Sequence, residues 1–292
     1  MSVVGGGTPS DSDRAGGALV VLISVVGAAS FLYPFFLPAL AGVGVDRGRG
    51  GIETPLLFTA LGFASLTLLL ISVGGSADAR GGSKVVALLG ILVAIDATLR
   101  LVPTLLGASP IFFLIIIVGF VFGAKFGFLM GALTLAVSAL ITGGLGPWLP
   151  YQMLGAGWVG MTAGYLPQWG APGSRRQIAL LAVFGAAWGF GYGAILNLME
   201  WPFAAPGLDN PTGLYWSPGM GLGETLQTYG RFYLTTSLVY DLFRAVANAL
   251  LIVALGRPVL RLLTRYRSRF IWTPWQPLEP EVAERTSVHN AH

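Results

Sequence analysis

Residues 109–168 read SPIFFLIIIVGFVFGAKFGFLMGALTLAVSALITGGLGPWLPYQMLGAGWVGMTAGYLPQ, and in these sixty positions the only charged side chain is Lys125. A soluble domain spends about a quarter of its residues on Asp, Glu, Lys and Arg to coat its surface with polar groups. Here there is almost nothing to coat it with. The pattern extends outward to the whole chain of 292 residues: 54% hydrophobic, 42 glycines, 10% charged, mean hydropathy +0.72. Such a chain needs a solvent as apolar as its own interior, which is the lipid bilayer. The composition excludes a water-soluble fold and predicts an all-α integral membrane protein, since a helix satisfies its backbone internally in lipid.

Working outward from the block, the apolar stretches fall at 15–41, 54–73, 85–107, 110–124, 126–145, 149–168, 177–200 and 229–262. Each is a candidate helix across about 30 Å of hydrocarbon, giving eight crossings, with the stretch from Pro110 short for a full one. The expected organisation is a disordered tail over 1–14, two additional transmembrane helices over 15–75, a six-helix core over 84–268 and a polar tail over 269–292. The first stretch is too long, and lacks a small-residue cleavage site, to read as a signal peptide. The interruption from Trp201 to Thr228 is the longest internal loop.

Charge placement orients the map. With the first residue inside, the cytoplasmic side holds Arg14, Arg80, Lys84, Lys125, Arg175, Arg176, Arg257, Arg261, Arg265, Arg267, Arg269 and Arg285, and the outer side only Arg47, Arg49 and Arg231. A bias of twelve to three is what the positive-inside rule asks of a correct alternation. Both termini are expected in the cytoplasm of a multi-pass plasma-membrane protein, and the net charge of +4 is read as topology, with no nucleic-acid partner. The chain has no cysteine and only His289 and His292, both in the tail. No metal site, no cofactor and no catalytic set is therefore expected. The segment Gly81, Gly82, Ser83, Lys84 has the wrong order for a phosphate-binding loop, and no nucleophile elbow is present, so any transport driven by ATP needs a partner.

Within the membrane, Ala87, Gly90, Ala94 and Ala97 fall within about 80° of arc, a flat stripe for a neighbouring helix. Gly119, Gly123, Gly127 and Gly131, and again Gly185, Gly189 and Gly193, repeat every four residues. Asp96, Arg100, Asp241 and Arg244 are costly in hydrocarbon, and depth arithmetic predicts one cluster with Asp96 near Arg244 and Arg100 near Asp241. On the outward side, Trp148, Tyr151, Gln152, Asn197, Glu200, Trp201, Tyr215, Trp216 and Gln227 offer aromatic faces and polar groups suited to a ligand, with the 201–228 loop as a lid.

The block 109–168, together with YDLFRAVANALLIVALGRPVLRLLTRY over 240–266, resembles the S components of energy-coupling factor (ECF) vitamin transporters. The resemblance rests on the glycine spacing, the GPWLPYQ loop and the last helix, and covers about 84–268; the two N-terminal helices depart from it. It implies a six-helix bundle that captures a vitamin-like small molecule at the outer face and docks in the lipid against a coupling transmembrane subunit driven by cytoplasmic ATPase subunits. Carried onto this chain, Ala87, Gly90, Ala94 and Ala97 become the coupling interface and the nine outward residues above the capture face. The long loop is most similar to members associated with cobalamin or related large vitamins. The rival readings are a membrane enzyme or assembly factor using the outer loop as a docking surface, and a self-sufficient secondary transporter, for which no internal repeat is evident.

Overall fold

The computed structural model describes residues 11–40, 82–102, 106–201, 213–217 and 219–270. The second expected crossing at 54–73, residues 202–212 and the tail from 271 lie outside the described residues. Within them the chain is helical: α1 (Asp11–Leu40), α2 (Gly82–Leu99), α3 (Ile111–Phe122), α4 (Ala124–Thr142), α5 (Leu149–Ala163), α6 (Arg175–Glu200), α7 (Leu222–Thr236) and α8 (Leu238–Phe270). Three of these, α4, α6 up to Met199 and α8 up to Ser268, are long and apolar enough to cross a membrane.

Local sequence sets the helix ends. Gly123, at φ +95°, ends α3 and starts α4 in one step, and Gly143, at φ +68°, closes α4 as a left-handed cap that only a residue without a Cβ adopts cheaply. Pro150 sits in the first turn of α5, where its missing N–H costs nothing. The Ser174 hydroxyl accepts from the backbone N–H of Gln177 at 3.4 Å to begin α6.

Helix α3 is the axis of the bundle. Every residue from Ile111 to Val121 is buried, which explains how a helix too short to span the membrane comfortably is so apolar: protein surrounds it on all sides. The outer helices show the inverse, with Val183 on α6 at 70% exposure and Leu250 and Val253 on α8 at 60% or more. These apolar faces are solvated by lipid.

Glycines set the spacing between helices. A Cβ on Gly119 would stand 2.9 Å from the carbonyl carbon of Gly160 on α5, one on Gly160 would stand 2.5 Å from that of Gly127 on α4, and one on Gly131 would meet the backbone of Ala156 and Gly157. Along the other seam, Gly185 faces Ile252, Gly189 the backbone of Ala245, and Gly193 the carboxylate of Asp241. Both four-residue glycine repeats are therefore intramolecular packing stripes, except that Gly123 serves the turn. Backbones approach this closely because dispersion and weak polar contacts, not water, hold helices together in lipid.

Helix α1 is stitched onto α5. The Trp158 indole N–H donates to the Ser24 hydroxyl at 3.1 Å, the Tyr151 hydroxyl to the Ser30 carbonyl at 3.5 Å, and Phe31 meets the Tyr151 ring edge-on with centroids 4.9 Å apart. A Cβ on Gly27 would press into Leu154.

Two boundaries differ from expectation. The stretch 85–107 is helical only to Leu99, because Pro103 disfavours helix in the residue before it. The stretch 229–262 is two helices, broken at Ser237, and the last quarter of the 201–228 loop, from Leu222, belongs to α7.

Candidate functional site

Phe35 of α1, the end of α6 and the middle of α7 come together around Trp201. Tyr229, Phe232 and Tyr233 are spaced i, i+3, i+4 on α7 and so share one face. Trp201, 1% exposed, packs edge-on against Tyr229 with centroids 5.0 Å apart, and lies 6.3 Å from Phe232 and 5.9 Å from Phe35 of α1. Phe35 in turn meets Trp216 at 5.5 Å, and Tyr215 meets Phe232 at 5.9 Å. The polar edges of the cluster are satisfied internally. The Trp201 indole N–H donates to the Leu214 carbonyl at 2.8 Å, and the Tyr229 hydroxyl donates to the Ala194 carbonyl. Such a cluster offers flat, polarisable faces with a few fixed polar groups, the composition of a small-molecule site.

The expected ligand residues divide. Trp201, Tyr215 and Trp216 form this cluster. Tyr151 is buried against α1, and the backbone carbonyl of the half-buried Gln152 accepts from the Tyr192 hydroxyl at 3.5 Å. The Asn197 amide donates to the Ser237 hydroxyl at 2.8 Å, which pins the joint between α7 and α8. Trp148 turns back on its own loop, its indole N–H donating to the Gly144 carbonyl at 3.3 Å, and Gln227 is exposed on α7. Glu200 ends α6; its side chain lies outside what is described.

The four-charge cluster is not formed as expected. Asp241 pairs with Arg244, one turn along its own helix, and also accepts from the Tyr233 hydroxyl at 2.8 Å. Arg244 donates further to the Gly189 carbonyl at 3.2 Å and lies 5.4 Å from the Tyr192 ring centroid, a cation–π contact. Asp96 turns to α4 and accepts from the Thr134 hydroxyl at 2.9 Å. Arg100 follows the end of α2, where a cation suits the negative end of the helix dipole. The physical reason is twofold: α2 stops short of the assumed depth, and an i, i+3 pair needs no second helix to align.

One consequence is measurable. Asp96→Asn keeps an acceptor for Thr134 and removes a buried charge, so the thermal midpoint in detergent is expected to stay within a few degrees of wild type with ligand affinity unchanged. A tenfold loss of affinity would place Asp96 in the ligand site after all.

On α2, Ala87, Gly90 and Ala94 are exposed, and a Cβ on Gly90 would have open space around it. Ala97 departs from the stripe: it is fully buried, because it stands at the arc edge nearest Asp96 and turns inward. At the opposite end of the bundle from Trp201, the carbonyls of Phe120 and Val121 that end α3 accept from Gln168 at 2.9 Å and Arg267 at 2.7 Å, beside a cavity of about 80 Å³. Those side chains close a helix terminus.

Sequence reasoning missed Phe35, Tyr192, Tyr229, Phe232 and Tyr233. The three on α7 carried a legible i, i+3, i+4 signal, but it lay inside a stretch read as a membrane crossing. Phe35 carried none. No curated protein and no solved structure matches the chain. The family model for the ECF transporter substrate-specific component matches residues 84–256, from the first turn of α2 to the middle of α8. That match covers more than half of the chain and the whole glycine-packed core, and the chain belongs to the family of substrate-specific components of ECF transporters.

Proposed function

We propose that this protein captures a vitamin-like small molecule at the outer face of the plasma membrane and delivers it by docking, through α2, against a coupling transmembrane subunit powered by cytoplasmic ATPases. The observation that carries the reading is the aromatic cluster in which α1, α6, α7 and the segment between α6 and α7 converge around Trp201. Substrate separates rings that now pack on one another and is held between them, with α7 as the movable cover, since α7 buries little except Thr228 and its aromatic face.

Charge supports the orientation. Arg175, Arg176, Arg257, Arg261, Arg265 and Arg267 gather at the end opposite Trp201, which the positive-inside rule assigns to the cytoplasm. The exposed Ala87, Gly90 and Ala94 support the docking surface, because a flank of small residues admits a partner helix at close range. Capture is favoured over the catalytic alternative because the four charges do not gather at one place: Asp96 meets Thr134, Asp241 pairs with Arg244, and Arg100 joins neither.

Gly90→Trp is expected to reduce uptake into cells carrying the coupling module to background while leaving ligand retained by the purified chain unchanged. Uptake that survives would remove α2 from the docking surface. The same purified chain tests capture itself, by mass spectrometry of what it retains from a vitamin mixture, with cobalamin as the large-ligand arm suggested by the 201–228 loop.

A further inference from the structure

We propose that the end of the bundle opposite Trp201 holds the phosphate of an anionic phospholipid, in the cavity between the end of α3, the loop that precedes α6 and the last turns of α8. The site is separate from the Trp201 cluster and stands whatever that cluster captures.

The loop QWGAPGS, residues 168–174, builds it. Gly170 and Gly173, both at φ +76°, fold the loop back on itself through a conformation that side chains with a Cβ adopt only under strain. It lies against α8, since a Cβ on Gly173 would stand 3.1 Å from Cγ of Arg257 and 3.4 Å from Cγ of Arg261. Gln168 and Arg267 reach across to the Phe120 and Val121 carbonyls. Between these elements is the cavity of about 80 Å³, with Gln177, Thr264 and Arg267 in its wall. One water needs roughly 10–15 Å³ of such space, so the cavity has room for a phosphate-sized group.

The wall has more donors than acceptors. Gln177 is 4% exposed; its side-chain oxygen accepts from the Gly173 N–H at 2.9 Å, and its amide nitrogen has no partner among the described residues. A buried amide of this kind calls for an acceptor. The Thr264 hydroxyl has no partner there either, and Arg267 commits one guanidinium nitrogen to Val121 and leaves the others open.

Charge points the same way. Arg175 and Arg176 open α6, Arg257, Arg261, Arg265 and Arg267 stand along the end of α8, and no Asp or Glu occurs within 164–177 or 255–270. None of these six cations has an ion pair among the described residues. The carbonyl end of α3 offsets only about half a charge. A phosphate presents acceptor oxygens in several directions, so that Arg267, Gln177 and Thr264 are answered together, the first by a charge-assisted bond. Position selects lipid as the source of that phosphate. Tyr165, Trp169 and Tyr266 are exposed around the loop and beside Arg267, as aromatic side chains are at headgroup depth, and basic pockets between helices at this level take anionic headgroups. The exposed Leu262 on the same stretch of α8 offers apolar surface to the acyl chains.

The test reconstitutes the full-length chain in nanodiscs of mixed phosphatidylglycerol and phosphatidylcholine, extracts it into detergent and counts the retained lipids by native mass spectrometry. Phosphatidylglycerol is expected to be retained over phosphatidylcholine, and about tenfold less of it in Arg267→Gln and in Gln177→Glu, the loss of one hydrogen bond to a charged group. Gln177→Glu keeps the acceptor for Gly173 and sets a negative charge where the open amide was. Should it fold poorly, Thr264→Val takes its place. Arg265→Gln removes a cation of the same field that does not line the cavity and is expected to change retention little, and Arg231→Gln on α7 not at all. Equal retention of the two lipids, undiminished retention by the cavity variants, or no retained lipid overturns the proposal. So does an equal loss in Arg265→Gln, which would mean that a basic surface and not the cavity holds the lipid. Displacement of the lipid by inorganic phosphate, but not by chloride at matched ionic strength, would assign the cavity to the free anion and overturn lipid as its source.

Discussion

Gly160→Val is expected to abolish the monodisperse species in detergent. A Cβ at this position has nowhere to go, since it would stand 2.5 Å from the carbonyl carbon of Gly127 and 3.0 Å from its Cα. The obstruction is backbone, so no rotamer change relieves it, and the two extra methyls of valine extend the clash along the seam. Helices α4 and α5 must separate, and α3 loses its neighbour as well because Gly119 rests on the same Gly160 carbonyl. Overpacking of this kind costs about 3 kcal/mol or more, a large share of the roughly 5–15 kcal/mol that holds a domain together. The control is Gly90→Val on α2, which meets open space and is expected to alter the thermal midpoint by no more than a few degrees. A Gly160→Val chain that elutes and melts like wild type would show that the seam is looser than described.

Arg244→Met is expected to be the most damaging single charge substitution in the chain. It leaves the Asp241 carboxylate, 2% exposed, with the Tyr233 hydroxyl as its remaining partner among the described residues, seated in the notch that Gly193 leaves in α6. Breaking a buried pair from one side costs about 3–5 kcal/mol, mostly the burden of the stranded charge. The Gly189 carbonyl and the Tyr192 ring lose their contacts too. The double variant Arg244→Met with Asp241→Leu removes both charges and is expected to recover most of the lost stability, because an apolar pair of similar volume needs no compensation in lipid. Thermal melting of the wild type, the two single variants and the double variant closes the cycle. If the double variant is as unstable as the sum of the singles, the charges are not coupled and the pairing is of little consequence.

The glycine repeats were legible because small residues every four positions have one geometric meaning in lipid, close backbone approach. The exposed face of α2 was legible for the same reason, apart from Ala97 at its edge. The break at Ser237 was not: Thr235, Thr236 and Ser237 contain neither glycine nor proline, and the joint is held by a hydrogen bond from Asn197, forty residues away. The charge pairing was misread because depth arithmetic treats helices as uniform rods, so an error in where α2 ends displaces Arg100 from its assumed position. The aromatic cluster was half legible. Trp201, Tyr215 and Trp216 stood out in a polar loop, whereas Tyr229, Phe232 and Tyr233 were concealed by an apolar stretch that folds as a separate helix. The seat of α1 left a trace in the spacing of Ser24, Gly27 and Ser30, small groups on one helix face with the Phe31 ring beside them. Nothing in that face says which helix it meets.

The union of α1 with α5 has a mechanical consequence. Indole, phenol and phenyl contacts from Ser24 to Phe31 hold α1 to α5, and Phe35 adds a second hold on Trp201 and Trp216, so the helix moves with the core. A core with such a passenger presents a wider footprint and displaces more lipid than the core alone.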